Sequence, residues 1–150
     1  MITVHWFRRD LRLEDNTALQ IALKEQYPVL PVFIFDRNIL DELPRNDARV
    51  NFIYQQLKII FTKLREKDST LKIFIGDPLE IWMDLVQKYK VGTVYFNKDY
   101  DPYAQQRDQQ VTDFLESQGI PVHTYKDQVI FEESEVIKHP VLLLHEHEFV

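Results

Sequence analysis

Five short, almost unbroken apolar runs punctuate the chain: residues 2–7 (ITVHWF), 29–35 (VLPVFIF), 71–75 (LKIFI), 93–97 (TVYFN) and 120–125 (IPVHTY). Runs of this length without polar alternation suit strands buried on both faces, as in a parallel sheet. Pro31 counts against the second, because proline has no amide for a central ladder. The fifth is the weakest. Between the runs, apolar positions recur at helical spacing. Residues 16–26 put Leu19, Ala22 and Leu23 on one face behind Asn16, a capping residue type. Residues 47–67 carry the best helical repeat, with Val50, Ile53, Leu57, Ile60, Phe61 and Leu64. Residues 78–90 open with Asp77 as cap, Pro78 in the first turn and Glu80 in capping-box position. Residues 102–118 open on Asp101–Pro102 and stop near Gly119, with Pro121 beyond.

The order βαβαβαβαβ predicts a three-layer α/β fold with right-handed crossovers. No repeat, low-complexity tract or linker interrupts it. Residues 127–150 leave the pattern: a charged EESE run is followed by HPVLLLHEHEFV, which completes no further βα unit. The expected organisation is one domain over residues 1–130 and an atypical tail over 131–150.

Composition narrows the chemistry. The 150 residues carry a net charge of −6, so bulk charge does not invite nucleic acid. There is no cysteine, which excludes disulfides, thiolate metal sites and thiol nucleophiles. The three glycines, Gly76, Gly92 and Gly119, form neither G-x-G-x-x-G nor a P-loop. The opening MITVHWFRRD resembles neither a signal peptide nor a membrane span, and a cytoplasmic location with no membrane partner is expected.

In open α/β sheets ligands bind at the carboxyl ends of the strands, where strand order reverses. Three loops there are unusual. Residues 7–16 (FRRDLRLEDN) hold Arg8, Arg9 and Arg12 beside Asp10, Glu14 and Asp15. They read either as a salt-bridge network with Asp10 and Asp15 as local partners, or as an anion or polar-cofactor site. In residues 97–103 (NKDYDPY), Asp101 reads as a helix cap and Asp99 as the carboxylate facing a cleft. Arg107, one turn into the following helix, is placed to pair with a carboxylate of a neighbouring loop. Residues 36–52 are long for their position. Phe35, Ile39, Leu40 and Arg49 make either an apolar slot with a cationic end or a lid packed on the core.

His145 and His147 alternate with Glu146 and Glu148, but spacing of two suits only a strand edge and no third ligand is evident. No metal site is expected. His5 reads as a hydrogen-bonded core histidine. No Ser–His–Asp arrangement can be assembled.

HWFRRDLRLEDN (5–16) resembles the opening of the DNA photolyase/cryptochrome family, W-F-R-x-D-L-R-L-x-D-N. PVFIFD (31–36), GDP (76–78), FNKDYDPYAQQRD (96–108) and GIPV through DQVI (119–130) resemble successive segments of the same family. The likeness covers about residues 1–138. It implies the family's N-terminal Rossmann-like domain, a five-stranded parallel sheet in order 3-2-1-4-5. The loops 7–16 and 97–103 then flank the switch point, where family members hold a light-harvesting chromophore or none. The absorbed energy passes to FAD, whose excited reduced form gives an electron to a cyclobutane pyrimidine dimer, which splits.

FAD and DNA contacts belong to a helical domain that this sequence lacks, so the chain alone is expected to be inactive in repair. The tail from Lys138 departs from the family pattern, as expected of a truncated or altered gene product. Folate-binding members carry an Asn-Glu pair where this chain has Tyr103 and Ala104, which argues against folate. The resemblance instead implies a deazaflavin or flavin chromophore, with Arg9, Phe35, Asp36, Ile39, Arg49 and Asp99 as its binding residues. Phe35 can stack on a planar ring, and Arg49 offers a fork of donors. Surfaces normally covered by the helical domain imply self-association. Two alternatives remain: a cryptochrome-type blue-light receptor domain, and a stand-alone nucleotide-binding α/β domain.

Overall fold

The computed structural model describes residues 1–127. Five parallel strands form one sheet in the order β3-β2-β1-β4-β5. They are β1 (Ile2–Phe7), β2 (Val29–Asp36), β3 (Lys72–Gly76), β4 (Val91–Asn97) and β5 (Val122–Tyr125). Five helices connect them: α1 (Thr17–Ala22), α2 (Arg37–Leu40), α3 (Ala48–Arg65), α4 (Pro78–Lys88) and α5 (Pro102–Ser117). The three-layer α/β prediction holds. The expected tail and the His145–Glu148 segment lie outside the described residues.

Alternate residues of the central strands feed two cores. Val4, Trp6, Val32, Val94 and Phe96 pack against Trp82 and Leu85 of α4 and Val111 and Leu115 of α5. Phe7, Val29, Phe33 and Tyr95 pack against Ala18, Leu19 and Ala22 of α1 and Leu57, Ile60 and Leu64 of α3. Apolar residues on both strand faces are the reason the runs read as unbroken.

Pro31 sits within β2, opposite His5. The Thr3 amide bonds the Pro28 carbonyl. The alternation of a parallel ladder then turns position 31 toward β3. Pairing with β3 begins only at Val32, so the missing amide forfeits no ladder bond. Helix α1 is shorter than its apolar pattern, ending at Ala22; Lys24, Glu25 and Gln26 beyond it are exposed, and Glu25 accepts the phenol of the core residue Tyr95. The four-residue α2 was hidden within a stretch that reads as loop.

The predicted caps hold. Asn16, Asp77 and Asp101 each accept backbone amides of the turns that they open. At the other end of α5, Gly119 takes φ +76°, and the Ile120 amide reaches back to the Leu115 carbonyl at 3.0 Å. Ile120 and Leu115 share one core, so an αL glycine and an apolar contact stop the helix together.

Candidate chromophore crevice

Strand order reverses between β1 and β4, and the loops that follow these strands meet there. Asn97, buried at the end of β4, is the stitch. Its Nδ2 donates to Asp10 Oδ2 at 2.5 Å and to Asn16 Oδ1 at 2.8 Å. Its Oδ1 accepts the Ala18 amide at 3.0 Å. Asn16 in turn donates to the carbonyls of Asp10 (3.2 Å) and Arg12 (3.1 Å). Asp10 Oδ1 takes the Arg8 amide at 2.8 Å, and Asp15 closes the loop at φ +53°. Residues 8–16 are thereby fixed to β4 and to the start of α1 by bonds that a buried loop must make somewhere.

The three arginines of this loop diverge. Arg8 is buried and reaches Asp108 of α5 at 2.5 Å, with its guanidinium 4.3 Å from the Phe96 ring centre and 4.8 Å from Trp6. Burial lowers its pKa, Asp108 opposes that shift and Arg107 adds to it. Arg12 pairs with Asp127, which also accepts from the Thr17 amide and hydroxyl at 3.3 Å. The expectation of local pairing with Asp10 and Asp15 is therefore corrected. These two give Arg8 and Arg12 backbone-level contacts only, and the charge partners lie 100 and 115 residues along the chain. Arg9 alone turns outward, 78% exposed, with Asp99 at 3.7 Å and Asp101 at 3.9 Å.

A second knot closes the neighbouring side. Asp36, at the end of β2, caps α2 by accepting the Asn38 amide at 3.0 Å. Its other oxygen accepts the Tyr103 phenol at 2.8 Å and lies 3.5 Å from Arg107 Nη1. Arg107 thus pairs with a carboxylate of a neighbouring loop, as its position predicts. Burial, and then the bond to Asp36, push the Tyr103 phenol up to about 12. Asn38 donates to Tyr103 Oη at 3.1 Å and to Asp77 at 3.2 Å. A cavity of about 250 Å³ lies beside this knot, lined by Asn38, Asp77, Leu79, Tyr103, Gln106 and Arg107 among others.

Of the six predicted binding residues, Arg9 and Asp99 are brought together across the switch point. Asp36 sits in the second knot with both oxygens engaged and its side chain 3% exposed. Phe35 is half-buried, edge-on to Phe33 at 4.9 Å, and Ile39 of α2 is exposed. Arg49 stands at the start of α3, exposed and paired with Asp47 at 2.6 Å. Its two hydrogen bonds hold the Asp47 carboxyl down to about 2. Sequence reasoning did not single out Asn38 or Asp108, and gave Asn97 no stitching role. Neighbouring Arg107–Asp108 was the available signal, since a helical ion pair beside a strand end needs a partner.

His5 is fully buried, as predicted, but among the described residues neither ring nitrogen has a hydrogen-bond partner. The expectation of a hydrogen-bonded histidine is corrected. The ring lies on the central strand with its neighbour Phe7 edge-on at 4.5 Å, and burial lowers its pKa to about 4.

The sheet order defines a doubly wound α/β domain, and the β1/β4 switch point is where folds of this class bind ligands. The sequence pattern of the DNA photolyase family matches residues 3–140, and the chain belongs to that family. It is 31% identical over 142 residues to a (6-4) DNA photolyase of Arabidopsis thaliana, covering 89% of this chain and 26% of that protein. It is 31% identical over 132 residues to a deoxyribodipyrimidine photo-lyase of Synechococcus, covering 88% and 27%. Among solved structures it resembles an archaeal photolyase from Sulfolobus tokodaii that holds two FAD molecules. That match has a TM-score of 0.73 and 35% identity, covering 93% of this chain and 32% of the other. The chain spans about a quarter of the length of these curated relatives. No helix among the described residues is long and apolar enough to cross a membrane.

Proposed function

We propose that this domain holds a planar light-harvesting chromophore at the β1/β4 switch point of a light-driven DNA repair enzyme acting on cyclobutane pyrimidine dimers. The observation that carries the reading is the interlock of the two loops through Asn97, Asp10 and Asn16, which leaves Arg9 alone turned to solvent. A flavin or deazaflavin suits the groups on offer better than folate. Phe35 gives an aromatic face, Ile39 an exposed apolar one, and Arg9 and Arg49 give exposed donors for ring carbonyls or an anionic side chain. Tyr103 is already bonded to Asp36 and Asn38 and has no carboxylate to offer a pterin. The FAD found with the S. tokodaii photolyase supports the flavin class.

When bound, the chromophore supplies light absorption, and its energy passes to a catalytic FAD. The residues of this chain bind and orient it. Arg9 and Asp99 define one wall, and Phe35 with α2 defines the other. FAD and DNA contacts fall, in this reading, to the part of the family's proteins beyond the quarter of their length that matches here.

The test is a titration of the chain with FMN and with a deazaflavin, followed by flavin fluorescence. Saturable quenching is expected, and Arg9→Ala and Arg49→Ala should each weaken it about 5- to 10-fold, the scale of one charge-assisted hydrogen bond. Absence of quenching with either ring system would overturn the reading.

A further inference from the structure

Helix α2 follows directly on Asp36 and is the lip of the crevice, yet none of its four residues is buried. With only half-buried Leu40 as a hydrophobic anchor, α2 depends heavily on polar contacts for its place. Those contacts converge on one residue of a different helix. The Tyr103 phenol donates to Asp36, the capping residue of α2, at 2.8 Å. The same oxygen accepts from Asn38 within α2 at 3.1 Å. Asn38 extends the contact to Asp77 at the start of α4.

We propose that Tyr103 is a positioning residue, a latch that holds α2 in register and so sets the width of the chromophore crevice. The proposal rests on the chromophore reading above but names a residue outside the predicted binding set. Of the two bonds, the one to Asp36 carries more weight. Asp36 is buried and charged, whereas Asn38 is exposed and shares its hydrogen bonds with water. Arg107 stays 3.5 Å from the same carboxylate oxygen, so loss of the phenol leaves Asp36 with a counter-charge. The fold therefore survives Tyr103→Phe while the lip loosens. Packing alone would make Tyr103→Phe silent, because the ring is retained.

The experiment measures backbone amide exchange by NMR in the whole chain, for the wild type, Tyr103→Phe, Asn38→Ala and the double variant. Tyr103→Phe should speed exchange at Asn38 and Asp41 about 5-fold, the loosening expected from one hydrogen bond. The Val4, Val32 and Val94 amides should stay unchanged. Asn38→Ala should act at the same amides, and the double variant should add little, because both changes open one latch. FMN affinity should fall in Tyr103→Phe by a similar factor. Unchanged exchange across α2 in Tyr103→Phe, fully additive effects, or loosened exchange with unaltered FMN affinity would each overturn the latch. Failure of the wild type to bind FMN would instead refute the chromophore reading, and the exchange data would still decide whether Tyr103 holds α2.

Discussion

His5 shows how a single buried ring couples the fold to pH. Its cation is disfavoured in the folded chain, where burial lowers the pKa from 6.5 to about 4. Stability is intact above pH 6.5. It falls as the pH drops toward 4, because the unfolded chain takes up a proton that the folded chain refuses, and it levels off below. The loss is on the order of 3 kcal/mol. Urea unfolding at pH 7 and pH 4.5 should show a smaller acid loss in His5→Leu than in the wild type, and equal losses would contradict the assignment. Asn97 is the other residue on which much depends. Asn97→Ala strands the Ala18 amide and acceptors on Asp10 and Asn16, at a cost of about 2–3 kcal/mol. Thermal unfolding checks it, and a change within experimental error would show that the loops do not rely on this stitch.

At the scale of elements, the parallel strands and the proline-led helices were legible because their signals are local. Unbroken apolar runs mark β1 and β2, and Asp-Pro pairs mark the starts of α4 and α5. Asp101→Ala should cost about 1 kcal/mol by urea denaturation, since its side chain accepts the Tyr103 and Ala104 amides. No loss would mean that Pro102 alone sets the start. Helix α2 was not legible, because four residues cannot show a period and its cap doubles as the last residue of a strand. The arginine partners were not legible either. Charges on one short loop can pair locally or across the fold with equal chemical sense, and only the chain path brings Asp108 to Arg8 and Asp127 to Arg12. That the two polar loops meet at the β1/β4 switch point was readable. Within the knot beside it, Asp36 as a site residue and Arg107 as the partner of a neighbouring-loop carboxylate were readable, but the bond of Tyr103 to Asp36 was not, since only the chain path brings the start of α5 over the end of β2.

For the whole molecule, the sheet of the described residues leaves β3 as an open edge with Ile73 and Ile75 exposed, Ile73 beside Tyr54 and Phe61 on α3. We propose that the chain associates with itself through such surfaces. Sedimentation should show mass rising with concentration and Ile75→Lys suppressing the rise, whereas a concentration-independent monomer would refute it. The larger claim is that one end of the sheet is a chromophore site. Mapping of amide shift changes on addition of FMN or a deazaflavin tests that claim most directly. Perturbations gathered on residues 8–16, 35–40 and 97–103 are predicted, and a saturable response confined to the α3–β3 side or to the opposite end of the strands would contradict it.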